Sequence, residues 1–187
     1  MYIAQSKRNE NIAEYILYLW QLEDLLRALQ FSPEAIWTQL VAPQEQDETR
    51  RHELLLWYVE LAGTLCDEEK EEHGHLDHTL RLICALQALH EQLLAVSAGE
   101  SYRSLFARLA PDLPRLREAL GKPETGDIEL CFRALYAVML YRMQGKDAQR
   151  NEAVTRDVLE AVSPVIAELS RFYGMVERGE TDVFEAP

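Results

Sequence analysis

Residues 127–144 read DIELCFRALYAVMLYRMQ, and this stretch decides the fold. A helix drawn through it carries apolar side chains on nearly every face, so it needs neighbours on all sides. The stretch is short for a membrane span, and Glu129, Arg133 and Arg142 would each cost several kcal/mol at the middle of a bilayer. The sequence therefore predicts a nearly all-apolar helix at the centre of a helical bundle.

On both sides of this stretch, apolar residues recur at steps of three and four, which is typical of amphipathic helices. Glycine and proline are few, 8 and 7 in 187 residues, and lie too far apart for a fold of short strands. We predict further helices near 9–30, 32–41, 46–72, 75–97, 101–120 and 148–173, with 101–120 broken near Pro111 and Pro114. The predicted fold is an all-α, single-domain bundle of six to seven helices over residues 1–176, followed by a polar tail at 177–187.

Composition limits the partners that the chain can have. The sequence has 32 acidic and 19 basic residues, a formal charge of -13, which repels nucleic acid and anionic lipid. Its three cysteines, Cys66, Cys84 and Cys131, form no CxxC pair and stand among apolar residues, which predicts small buried side chains in a reducing compartment. The polar start of the chain has no apolar run typical of a secretory signal. We therefore expect a cytoplasmic protein that binds neither nucleic acid nor membrane.

Three stretches carry a family likeness: residues 7–28 (KRNENIAEYILYLWQLEDLLRA), 74–76 (GHL) and 140–146 (LYRMQGK). With them the chain resembles a bacterial family of uncharacterised proteins, domain of unknown function family 4924, over most of its length. The resemblance implies an all-helical single domain in a cytosolic bacterial protein. It implies no activity and assigns no functional residue.

A histidine-rich turn is the densest group of candidate metal ligands. It contains His73, His75 and His78, with Glu71 and Glu72 just before them. Imidazole and carboxylate groups three residues apart on a helix can share one metal ion. Zinc sites, however, normally draw ligands from two separated segments, so a solvated turn between two helices is the alternative. The sequence leaves both open.

Four other charged or polar residues fall where a helical projection buries them, and a buried charge is costly unless it is paired. They are Glu23 on the first helix, His90 on the fourth, and Arg133 and Arg142 on the apolar helix. We expect such acids and bases to pair across the bundle and to fix the register of its helices. The alternative is that Arg133 or Arg142 binds the carboxylate or phosphate of a ligand.

Motifs for catalysis are not recognisable in the sequence. His90-Glu91 begins like HExxH but lacks the second histidine, and no glycine-rich phosphate loop, nucleophile triad or paired ExxH element occurs. We therefore predict no catalytic residue and no cofactor. The preferred interpretation is a non-enzymatic interaction or scaffold protein that binds a protein partner or itself, because Leu17 and Trp20 widen the apolar face of the first helix. A small-molecule or metal-binding bundle is the alternative, and an enzyme built around Glu23, His90 and the arginines is a third.

Overall fold

The computed structural model describes residues 8, 10–44, 47–143 and 152–180. Within these ranges every regular element is helical, which confirms the all-α prediction. The helices are α1 (Ile12–Ala28), α2 (Pro33–Ile36, continued by a π-helical turn at Trp37–Val41), α3 (Glu48–Asp67), α4 (Asp77–Ala95), α5 (Glu100–Leu109), α6 (Leu113–Leu120), α7 (Asp127–Met143) and α8 (Glu152–Glu177). The predicted end of the domain at 176 falls beside the end of α8, and residues 181–187 of the predicted tail lie outside the described ranges.

The described chain divides into two compact units. The first contains residue 8 and residues 14–81, and the second contains residues 10–13 and 82–180. The core of the first unit is formed by buried aliphatic residues and one tyrosine from α1, α2, α3 and the start of α4. They are Leu19, Leu22, Leu26, Leu29, Ile36, Val41, Tyr58, Ala62, Leu65 and Leu76.

The turn between α1 and α2 leads into the helix predicted near 32–41. Ser32 is the N-cap, and its Oγ accepts a hydrogen bond from the backbone N–H of Ala35 at 3.3 Å. Pro33 occupies the first helical position, where a backbone N–H would have no acceptor within the helix, so the missing N–H of proline costs nothing. Just before them, Gln30 and Phe31 both adopt left-handed backbone angles, with φ values of 53° and 57°. This reversal folds the chain back so that Phe31 packs against the core.

In the second unit, α7 is largely buried, as its composition predicts. Its buried residues are Ile128, Leu130, Cys131, Phe132, Ala134, Leu135, Tyr136 and Val138, which lie on most of its circumference. Helices α6 and α8 pack against it, and α5 packs against α8. The remaining side carries Ala137, which is exposed, and Glu129 and Arg133, which are half-buried, so the helix is largely buried but open on one side.

The proline-containing segment is also divided as predicted. A 3-10 turn at Ala110–Asp112 separates α5 from α6, and α6 ends at Gly121, whose φ of 61° is the left-handed conformation that glycine tolerates best. Among the described residues no single helix is long and apolar enough to cross a membrane. Only α4 joined to Ser97–Leu120 across a 103° bend meets the length and composition required.

Candidate functional site

Glu23 is fully buried in the first unit, and its carboxylate binds the start of α4. Its Oε2 lies 2.8 Å from Nδ1 of His75, and its Oε1 accepts a hydrogen bond from the backbone N–H of Leu76 at 3.2 Å. Both carboxylate oxygens therefore have partners, as a buried charge requires.

Trp20 holds the imidazole of His75 in a fixed plane. The two rings are stacked, with centroids 3.7 Å apart and planes 9° from parallel. The indole Nε1 of Trp20 donates to Oγ1 of Thr79 at 3.2 Å, and that hydroxyl donates to the carbonyl of Leu76 at 2.8 Å. Trp20 is fully buried and belongs to the core, so the surplus apolar surface expected from it on the first helix is not there.

Arg27 ties the segment before α4 to α1. Its guanidinium donates to the carbonyl of Lys70 at 3.0 Å and to that of Gly74 at 2.6 Å, and it pairs with Asp24 at 2.8 Å. Gly74 adopts a φ of 94°, a conformation that side-chain-bearing residues rarely take. Hydrogen bonds from Arg27 therefore hold the main chain of this segment at Lys70 and at Gly74, although the acidic side chains between them face solvent.

The three histidines proposed as metal ligands point to different partners. His75 faces Glu23, Nε2 of His78 lies 3.1 Å from the hydroxyl of Tyr15, and His73 is exposed. Burial lowers the pKa of His78, and the charges of Arg8 and Arg81 lower it further against the opposing effect of Glu68. In the described part of the chain, no group of three or more His, Cys, Asp or Glu side chains is arranged to hold a metal ion.

His90 is buried in the second unit as its helical projection predicted, with a hydroxyl and a carboxylate on opposite sides of its ring. Its Nδ1 lies 2.6 Å from the hydroxyl of Tyr102, and its Nε2 lies 4.0 Å from Oδ2 of Asp127. Burial lowers the pKa of His90 and raises that of Tyr102. Asp127 in turn accepts a hydrogen bond from Arg117 at 2.6 Å. The group forms a polar chain that extends from the core to a half-exposed arginine.

The same region holds the N-terminus of α7. The carboxylate of Asp127, the first residue of α7, is bound by Arg117. The backbone N–H of Ile128, in the first turn of the helix, donates to Oε1 of Gln87 at 3.1 Å, so the cap comes from the side chain of another helix, α4. A cap supplied from so far along the chain leaves no local sequence signal.

The two arginines of α7 differ from expectation. Arg133 is half-buried and pairs with Glu129 on the same helix at 2.7 Å, so its ion pair does not join two helices. Arg142 is exposed. Of the acids and bases for which pairing across the bundle was predicted, Glu23 has a partner from a distant segment, and that partner is a histidine.

The outer face of α3 carries the feature that the sequence did not reveal. Leu56 is 61% exposed and Val59 is 37% exposed, and Gly63 and Cys66 continue their line with a spacing of three, four and three residues. We call these four residues the α3 outer stripe. Cys66 was expected to be buried, as was Cys84 on α4, and both are exposed, whereas Cys131 is buried.

A row of carboxylates follows one side of this stripe. Glu53, Glu60 and Asp67 are seven residues apart from one to the next, so they lie in line along the helix, and all three are exposed. None of the three side chains has an ion pair with another described residue. We call them the acidic edge. The stripe and the edge together make α3 amphipathic on its solvent side.

A shallow pocket lies between α6 and α8 in the second unit. Its volume is 340 Å³, and its floor is formed by Leu116, Val158 and Ala161. The exposed guanidinium of Arg115 stands at its rim without an ion pair in the described residues. Asp112 and Asp157 also line the pocket, so two carboxylates stand beside its single guanidinium.

Comparison with known proteins gives one match. A family model described as a Domain of unknown function (DUF4924) matches residues 1–180, which is nearly the whole chain. No curated protein and no solved structure matches.

Proposed function

The chain belongs to the DUF4924 family, and from its own residues we propose that it is a non-enzymatic protein-interaction module that binds its partner through the α3 outer stripe. The observation that carries the proposal is the exposure of Leu56 and Val59 one turn apart. Large apolar side chains in line on one helix face form the kind of surface that a partner helix covers. Met143 is the other large apolar residue exposed in the described ranges, and it is the last residue of α7.

The buried polar residues support a structural role for both polar networks. Glu23 is satisfied by His75 and Leu76, and His90 contacts Tyr102, so each network makes contacts that explain its burial without a ligand. Networks of this kind fix one arrangement of helices. We further propose a cytoplasmic location, which rests on the cysteine pattern and acidic composition of the sequence.

Site-specific photo-crosslinking tests the interaction. A photoreactive amino acid replaces Leu56 in the full chain, and the control places it at Met143, because both side chains are 61% exposed. We expect covalent adducts in the native host from position 56 and none from position 143. Adding Val59→Asp should abolish them, since a carboxylate in the stripe cannot be covered by an apolar surface. Equal adducts from both positions, or none from position 56, would contradict the proposal.

A further inference from the structure

We propose that the partner is an amphipathic helix with lysine or arginine residues along one side of its apolar stripe, lying along α3 with those cations against the acidic edge. The inference rests on the proposed function and specifies the chemistry of the partner. It follows from the shape of the stripe and from the charges beside it.

The α3 outer stripe has the residue spacing and the surface shape that a packed partner helix requires. Its residues fall at the alternating steps of three and four that keep two crossing helices in contact over several turns. Gly63 lies at the third position, and a Cβ built there meets no atom within 4 Å. A partner helix can therefore approach the backbone of α3 closely at this point, while Leu56 and Val59 insert between its side chains.

The acidic edge determines which helix fits. Glu53, Glu60 and Asp67 border the stripe on its solvent side, and no cation among the described residues pairs with them. Covering the stripe brings the flanking residues of the partner beside these carboxylates. A helix with acidic flanks would be repelled, and one with basic flanks would gain up to three charge pairs at the rim of the contact.

A second copy of the chain is a poorer occupant for the same reason. An antiparallel symmetric pair of α3 helices places the same flank of each helix beside its counterpart. The acidic edge would then face another acidic edge, in a protein whose formal charge is already -13. A basic amphipathic helix avoids this repulsion.

Matched synthetic peptides test the charge preference by calorimetry on the full chain. Three peptides of the length of α3 carry leucine at alternating three- and four-residue steps, and they differ only in having lysine, glutamine or glutamate beside the leucines. At low salt we expect the lysine peptide to bind at least about tenfold more tightly than the glutamate peptide, since an exposed charge pair contributes a factor of about two to five. Added salt should reduce this difference, because the pairs are exposed.

Charge-reversal variants distinguish an effect of the acidic edge from an effect of the net charge of the protein. The variant E53K/E60K/D67K should prefer the glutamate peptide to the lysine peptide. The control E118K/E124K/E160K reverses three exposed carboxylates elsewhere and should keep the original order. Circular dichroism confirms that each variant remains helical.

The remaining outcomes distinguish the two proposals. Equal binding of all three peptides, or binding of none, would overturn the basic-helix inference, and adducts from position 56 would still support an interaction surface. A concentration-dependent dimer that Leu56→Asp converts to a monomer would identify a second copy as the occupant and also overturn it. If Leu56→Ser leaves binding of the lysine peptide unchanged, the peptide does not use the stripe and the inference fails.

Discussion

The Nδ1 atom of His75 lies 2.8 Å from Oε2 of Glu23, although the two residues are 52 positions apart in the sequence. The contact joins the middle of α1 to a residue two positions before the start of α4, within the first unit. Because the carboxylate is fully buried and also accepts from Leu76, it acts as a fixed anchor for the turn. Its removal is therefore the most informative test of how the first unit is stabilised.

We expect Glu23→Ala to lower the free energy of unfolding by about 3 kcal/mol, because it removes the acceptor of the buried backbone N–H of Leu76 and the carboxylate that contacts His75. Glu60→Ala is the control, since it removes an exposed carboxylate from the middle of a helix and should change stability by less than about 0.5 kcal/mol. Urea denaturation measures both. A loss for Glu23→Ala no larger than that of the control would show that the anchor contributes nothing.

Stability should fall on mild acidification through His90. Burial is the main cause of its lowered pKa in the folded protein, and the negative charges of Asp127 and Glu91 only partly oppose it. Below about pH 6.5 the unfolded chain binds a proton that the folded chain resists, so the contribution of His90 is complete above that pH and is lost as the pH falls.

The matching measurement is the free energy of unfolding at several pH values for the wild type and His90→Gln. We expect the wild type to lose up to about 1.4 kcal/mol per pH unit more than the variant in this range. His78, whose pKa is also lowered, remains in both proteins and cancels in the comparison. Parallel curves for the two proteins would refute the assignment to His90.

Two glycines should respond in opposite ways to alanine. Gly63→Ala adds a methyl group into open space in the interior of α3, so we expect the protein to gain about 1 kcal/mol from the better helix propensity of alanine. Gly99→Ala places its Cβ against the backbone carbonyl of Leu93, which cannot move aside cheaply, so we expect a clear loss of stability. Thermal denaturation measures both, and a stabilised Gly99→Ala would contradict the packing described here.

The cysteines should differ in reactivity. Cys66 and Cys84 are exposed and should react readily with a thiol reagent in the native protein. Burial raises the pKa of Cys131 to about 12, and the thiol is also inaccessible, so it should react only after unfolding. Counting reactive thiols before and after adding denaturant checks this, with Cys131→Ser identifying the slow group.

Much of the fold follows from local signals in the sequence. The helix predicted from residue 32 is α2 with its N-cap at Ser32, Pro111 marked the break before α6, and the composition of 127–144 predicted the largely buried helix α7. Each of these depends on the residue itself or on its nearest neighbours. The predicted ends of the helices were less accurate. The third helix was predicted to continue through the acidic residues as far as 72, but α3 ends at Asp67.

The partners of the polar residues could not be read in this way. Glu23 was predicted to be buried, but its contact with His75 depends on how two distant segments meet. The cap of α7 by Gln87 and the exposure of Leu56 are likewise set by tertiary packing. Leu56 stands in a run of three leucines, and only the packing decides which of them faces solvent.

The anchored turn before α4 has a practical consequence for anyone who labels this protein. A polar, charged stretch such as 68–76 would ordinarily be chosen for an epitope tag or a dye, because insertions in exposed turns are usually tolerated. Here the guanidinium of Arg27 donates hydrogen bonds to the carbonyls of Lys70 and Gly74 in that stretch, so an insertion would break these hydrogen bonds. The exposed residues 122–124, just after α6, are the safer place for a tag.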